Sequence, residues 1–182
     1  RIQLLFGLIK FYKDFEKGKH KRKMNKKRYY IFTPPITSGG PELAHQMCHE
    51  LLLQNRPAWM YYIEAPNKEP IDIPSHERYR KYGTSHTLNM EEVEQTDSVI
   101  IVPEGCATWI FAYQKCKKVL WWMSVDNFII NEELVGFDFF DNLKQEVSLH
   151  LVQSQYAYQY LLQRGISSKD ILYVSDYIGE NY

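Results

Sequence analysis

Apolar runs of four to six residues recur along the chain, separated by stretches whose apolar positions fall at helical spacing. Residues 29–33 (YYIFT) form the first run, stopped by Pro34-Pro35. A turn-rich loop, 34–40 (PPITSGG), follows. Pro41 then opens a helix with Glu42 in its first turn, where the macrodipole favours an acid. Leu43, Ala44, Met47, Cys48 and Leu51 make its buried stripe, and Asn55-Arg56-Pro57 ends it. Residues 58–63 (AWMYYI) predict a second strand. Residues 64–82 are rich in Pro and charge and read as a long loop with at most a short edge strand. Asn89 is placed to cap a short helix running through Glu94.

The second half repeats the alternation. Residues 98–102 (SVIIV) and 119–123 (VLWWM) predict strands on either side of a helix at 106–115. Residues 124–147 give an ambiguous pattern with one short helix near 139–145. A strand at 149–153 (LHLVQ), a helix at 155–164 closed by Gly165, and a last strand at 171–174 (ILYV) complete the chain. Near-continuous apolar strands alternating with helices predict an α/β fold: a Rossmann-like parallel sheet of about six strands, helices on both faces.

Composition adds an N-terminal boundary. The 182 residues are 45% hydrophobic and 24% charged, which excludes disorder for most of the chain. The net charge of +0 hides an asymmetry. Residues 1–28 hold 11 Lys/Arg against Asp14 and Glu16, a balance of +9; residues 29–182 carry the compensating −9. Leu4, Leu5, Leu8, Ile9, Phe11, Tyr12 and Phe15 fall at helical spacing beside this basic run. Residues 1–28 therefore predict a basic amphipathic leader suited to an anionic membrane surface, ahead of a domain over 29–182. No apolar run reaches the length of a membrane span, and Lys10 and Lys13 interrupt any secretory-signal core. With Cys48, Cys106 and Cys116 only, there is no disulfide framework. The expected location is cytoplasmic, peripheral on the inner face of the cytoplasmic membrane.

Ligands of such sheets bind beyond the carboxyl ends of the strands, which selects loops 34–40, 104–105, 124–128 and 175–178. Gly39 and Gly40 precede a helix N-terminus able to receive a phosphate; the alternative is a tight turn that needs glycine for its dihedrals. They match neither the dinucleotide fingerprint nor a P-loop, which disfavours a nicotinamide enzyme or an NTPase. Glu104, Asp126, Asn127 and Tyr177 close other strands and suit a polyhydroxylated ligand, with structural capping as the alternative for each. His45 and His49 are spaced i, i+4 without the Glu of a metalloprotease helix and read as helix-surface residues; Cys106 and Cys116 read as core. No metal site and no nucleic-acid motif is expected.

The strings YYIFTPPITSGGPELAHQ (29–46), SVIIVPEG (98–105), VLWWMSVDNF (119–128), LHLVQSQYAYQYL (149–161) and ILYVSDYI (171–178) resemble the N-terminal half of bacterial GT-B glycosyltransferases. The similarity is to family 4-like members of capsule and exopolysaccharide assembly. It implies transfer of a sugar from a nucleotide-sugar donor to a glycan or lipid-linked acceptor, with retention and no required metal or other cofactor. It implies that this domain holds the acceptor, with Gly39 and Gly40 approaching the donor phosphates and Glu104, Asp126, Asn127 and Tyr177 on sugar or acceptor hydroxyls. Asp126 is the one candidate base, although such transfer is described with the donor phosphate taking the proton. The donor domain would follow Tyr182, so the chain alone is expected to lack the nucleotide site. A non-catalytic Rossmann-like ligand-binding or interaction module is the alternative, and a methyltransferase the third reading.

Overall fold

The computed structural model describes residues 27–64, 69–136 and 138–174. The expectations for the leader at 1–26 and for Tyr177 lie outside these residues.

Six strands form one all-parallel sheet in the order β2-β1-β3-β4-β5-β6. They are β1 (Arg28–Thr33), β2 (Ala58–Tyr62), β3 (Ser98–Pro103), β4 (Lys117–Trp122), β5 (Leu149–Val152) and β6 (Ile171–Tyr173). The chain moves outward from β1 to β2, returns past β1 to β3, and then travels one way. With crossovers of constant hand, that reversal puts the β1–β2 helix on one face and the later connections on the other. Helix α1 (Gly39–Leu53) accordingly packs Ala44, Met47, Cys48 and Leu51 on Tyr29, Ile31, Met60, Val99 and Ile101. The opposite face is covered by α2 (Met90–Val93), a 3-10 segment (Glu104–Ala112), α3 (Val125–Val135), α4 (Phe139–Glu146) and α5 (Gln155–Gln163). The expected α/β sheet is thus present.

Two predicted elements change. The helix expected at 106–115 is the 3-10 segment Glu104–Ala112, kinked at Cys106 and followed by extended Tyr113. Its run of Thr108, Trp109, Ile110 and Phe111 is β-branched or aromatic, poor material for an α-helix. The ambiguous stretch contains α3, capped by the Ser124 hydroxyl on the Asn127 N–H at 3.3 Å. Its apolar stripe is blurred because Ile130, Leu134 and Val135 are exposed, so periodicity does not betray it. The helix expected at 139–145 is α4.

The connection from β2 to β3 does more than cross. Met60 donates its N–H to Ser85 O at 2.8 Å and accepts from the Thr87 N–H at 3.2 Å, which occupies the outer edge of β2. A 3-10 segment, Glu77–Tyr82, then lies against α1. On the far side, Lys118 is buried and paired with Glu146 at the end of α4, and Arg164 pairs with Glu132 while stacking 4.2 Å over the Phe140 ring.

Gly165 closes α5 at φ +82, and a Cβ there would lie 2.9 Å from Lys144 Nζ. Gly165→Ala is expected to cost about 1 kcal/mol through the left-handed backbone. Gly105→Ala, with nothing within 4 Å and no positive φ, should leave the urea midpoint unchanged. Equal midpoints for both variants would contradict this.

Candidate functional site

The chain reverses direction between β1 and β3, the switch point at whose carboxyl edge doubly wound folds take ligands in a crevice. Loop 34–38 leads from β1 into α1 on one side of it, and Glu104 follows β3 on the other. Ser38 is extended, its carbonyl accepts the Glu42 N–H at 3.2 Å, and its hydroxyl makes no capping bond. Gly39 and Gly40 are the first two helical residues, so their N–H groups have no acceptor within the helix. Neither has a positive φ, which corrects the turn-glycine alternative. They differ from each other. A Cβ on Gly39 would meet nothing within 4 Å, whereas one on Gly40 would meet Met123 Sδ at 3.3 Å.

Met123 ties three strand ends together. Its sulfur rests against Gly40, and its N–H donates to Glu104 Oε2 at 2.8 Å. Glu104 is buried, and burial pushes its carboxyl up to about 7. The N–H groups of Met123 and Ser124 and the Asn127 amide act in the opposite direction. Of the predicted residues, Gly40 and Glu104 therefore meet through Met123, and Glu104 serves in part as a strap between β3 and β4. Asp126 and Asn127 occupy the first turn of α3 and are exposed. Asp126 Oδ1 accepts from the Tyr156 hydroxyl at 3.3 Å and is not joined to Glu104 by a hydrogen bond.

The sequence reading missed a polar cluster between α1 and the β2–β3 connection. Glu42 accepts from Arg78 Nη2 at 2.8 Å, Lys81 Nζ at 3.1 Å and the Tyr82 hydroxyl at 2.9 Å. Burial acts to raise the Glu42 carboxyl, but these donors outweigh it and hold it below its ordinary value. His45 is fully buried rather than on the surface. Its Nδ1 lies 2.7 Å from Thr84 Oγ1, its Nε2 3.2 Å from the Tyr62 hydroxyl, and its ring stacks 4.7 Å from Tyr79. Burial lowers its pKa to about 4, so it is neutral at pH 7. The Tyr79 hydroxyl receives the Ser38 N–H at 3.0 Å and faces the Ser38 carbonyl at 3.0 Å, which pins the loop before α1.

The consequence is electrostatic. Two cations from a distant segment, Arg78 and Lys81, converge on the first turn of α1, and Glu42 offsets one of them. The signal was the stripe Glu42, His45, Gln46 and His49 at i, i+3, i+4 and i+7, opposite the apolar stripe. Such a polar stripe on a helix that must cover a sheet needs its own partner segment. Among the described residues, no three His, Cys, Asp or Glu side chains converge as a metal site, and no helix is long and apolar enough to cross a membrane. A groove of about 520 Å³ lies elsewhere, between Phe111, the end of α3 and α4.

Two outcomes are expected. Gly39→Ala should leave the thermal midpoint within about 1 °C, whereas Gly40→Val should lower it because the branched side chain meets Met123. For Glu104, a carboxyl raised to about 7 in the native state holds its proton more tightly than the unfolded chain does. That contribution is full near pH 4.5 and is lost as pH rises through 7, by up to about 1.4 kcal/mol per pH unit. His45 and His150, lowered to about 4, slope the opposite way between pH 6.5 and 4. The difference between wild type and Glu104→Gln in urea midpoints across pH 4.5–7.5 isolates the carboxyl. A constant difference would contradict its burial as a proton-holding group.

No known protein family, no curated protein and no solved structure matches the chain. The assignment of a ligand therefore rests on the crevice itself.

Proposed function

We propose that this domain binds the diphosphate of a nucleotide sugar at the N-terminus of α1, as the acceptor-side half of a retaining glycosyltransferase. One observation carries the reading. The α1 tip at the β1/β3 reversal presents free N–H groups of Gly39 and Gly40 with open space in front of Gly39, and Arg78 and Lys81 stand at its first turn. A leaving diphosphate needs positive charge that is already in place, and oriented N–H groups with two cations provide it. Glu42 leaves one net positive charge and holds both side chains in position.

The other residues fit supporting roles. Glu104 and the exposed Asp126 and Asn127 border the same edge, where hydroxyls of an acceptor sugar find oxygen and amide partners. Asp126 is not set as a base, since its described partner is the Tyr156 hydroxyl. A base is unnecessary if a donor phosphate oxygen takes the acceptor proton. The nucleoside would be held by a second domain, whose closure aligns donor and acceptor.

The test is titration of the chain with inorganic pyrophosphate, UDP and UDP-glucose. Millimolar binding shared by all three, weakened severalfold by salt and by Arg78→Gln with Lys81→Gln, is the expected result. Low-micromolar binding of UDP-glucose alone would place a complete nucleotide site in this chain and overturn the domain assignment. Absence of salt-sensitive anion binding would remove α1 from the reading. The alternative is a non-catalytic module, in keeping with the engagement of Glu104 and Asp126 by neighbouring groups. Unchanged incorporation of labelled sugar into cell glycan with the double variant would favour that module.

A further inference from the structure

The two halves of α3 face different surroundings. Val125 and Phe128 sit in the core, and Ile129 packs against it. The apolar residues that follow take no part in that packing. Ile130 is 58% exposed, Leu134 80% and Val135 52%. Ile130 and Leu134 are four apart and share one face of the helix. Phe111, at the end of the 3-10 segment, is exposed too, and its ring lies 6.0 Å from that of Phe139, centroid to centroid. Apolar residues scattered singly over a surface need no explanation. Here two of the four, Phe111 and Val135, line the groove of about 520 Å³ beside α4, and the other two continue along α3 from it.

The charge at this place has one sign. Asp138 and Glu146 line the groove, and among the described residues no cation does. The last turn of α3 holds Glu132 and Glu133 and no basic residue, although the negative end of the helix dipole favours one there. Arg164 pairs with Glu132, and Lys118 with Glu146. Glu133 and Asp138 are exposed, and the Asp138 side chain does not cap α4. Lys144 is the one cation of residues 125–146, and its Nζ lies beside Gly165 instead.

We propose that this surface docks a basic amphipathic helix of a partner protein. The apolar side chains of that helix rest on Ile130, Leu134 and Val135, and its lysines or arginines meet Glu133 and Asp138. In this helix-in-groove mode apolar anchors give affinity and complementary charge selects the partner. The charge also decides among occupants. Anionic lipid headgroups would be repelled by the same carboxylates. A second copy meeting this surface about a twofold axis would set acid against acid. The surface lies on the sheet face opposite α1, so the inference does not depend on the ligand there.

The experiment is fluorescence anisotropy on the full chain. The probe is a labelled peptide of about 14 residues, four turns, with Leu on one helical face and Lys on the other. It should bind with a Kd on the order of 10 μM. Leu134→Ser and Asp138→Lys should each raise that Kd by about tenfold. Both residues are exposed, so the thermal midpoint should not move. Glu69→Lys, on the β2–β3 connection, alters the net charge as Asp138→Lys does and should leave the Kd unchanged. A Lys-Ser peptide of equal charge and a Leu-Glu peptide should both bind at least about tenfold more weakly. Equal binding of the Lys-Ser peptide, or an equal effect of Glu69→Lys, would reduce the surface to general acidity and overturn the proposal. Binding indifferent to Leu134→Ser would overturn it as well. A dimer of the chain alone that Leu134→Ser dissociates would replace the partner with a second copy. Pelleting with phosphatidylglycerol vesicles that Leu134→Ser abolishes would replace it with a membrane.

Discussion

Strands β1, β3 and β4 are apolar on both faces, and that single constraint organises the molecule. A parallel sheet of such strands must be covered twice, so every crossover is also a cover. The chain meets the requirement by reversing direction once, after β2. The reversal sends α1 to one face and the later connections to the other, and it puts the carboxyl ends of β1 and β3 at the switch point of the sheet. The crevice is therefore a by-product of covering the sheet. Its lining is whatever follows β1, β3 and β4: a glycine-led helix tip, Glu104 and Met123.

Holding those three ends together is a separate problem, solved with few atoms. Met123 contributes its N–H to Glu104 and its sulfur to Gly40. A larger residue at position 40 would separate α1 from the end of β4, so glycine here is a matter of close approach. At position 39 nothing makes such a demand, and the missing side chain leaves open surface. The distinction matters, because only the second glycine is accounted for by packing. Glu104, for its part, is a carboxyl whose burial favours the protonated form against neighbouring N–H donors that favour the charged one.

The alternation of strands and helices was legible because buried parallel strands are short apolar runs with clear stops, as in residues 29–33 and 98–102, each ended by Pro. Strand order was not legible, since periodicity carries no information about which strands pair. Helix α3 escaped because Ile130, Leu134 and Val135 face solvent and blur its stripe. For the site, position at strand ends correctly placed Gly39, Gly40, Glu104, Asp126 and Asn127 at one edge. It did not reveal that Glu104 accepts the Met123 N–H and the Asn127 amide, because capping and ligand binding draw on the same residue types. His45 was misplaced for a related reason. A histidine on the polar stripe of a helix resembles a surface residue until a polar partner segment covers it.

That partner segment changes the electrostatics of the crevice. Residues 77–82 (ERYRKY) look like an ordinary solvated turn, more than thirty residues from the glycines in sequence. Tyr79 and Tyr82 fix them against α1, one through Ser38 and the other through Glu42 and Gln46. The hydroxyls anchor the backbone, and the anchored backbone delivers Arg78 and Lys81 to the first turn. Both cations remain about half exposed, so they keep their hydration and remain free to meet an incoming anion. Glu42 cannot cancel the pair, because one carboxylate faces two cations and the positive end of a helix dipole. The excess of positive charge beside Gly39 thus follows from where a long connection must run to shield the edge of β2. The same segment that protects the sheet polarises the crevice.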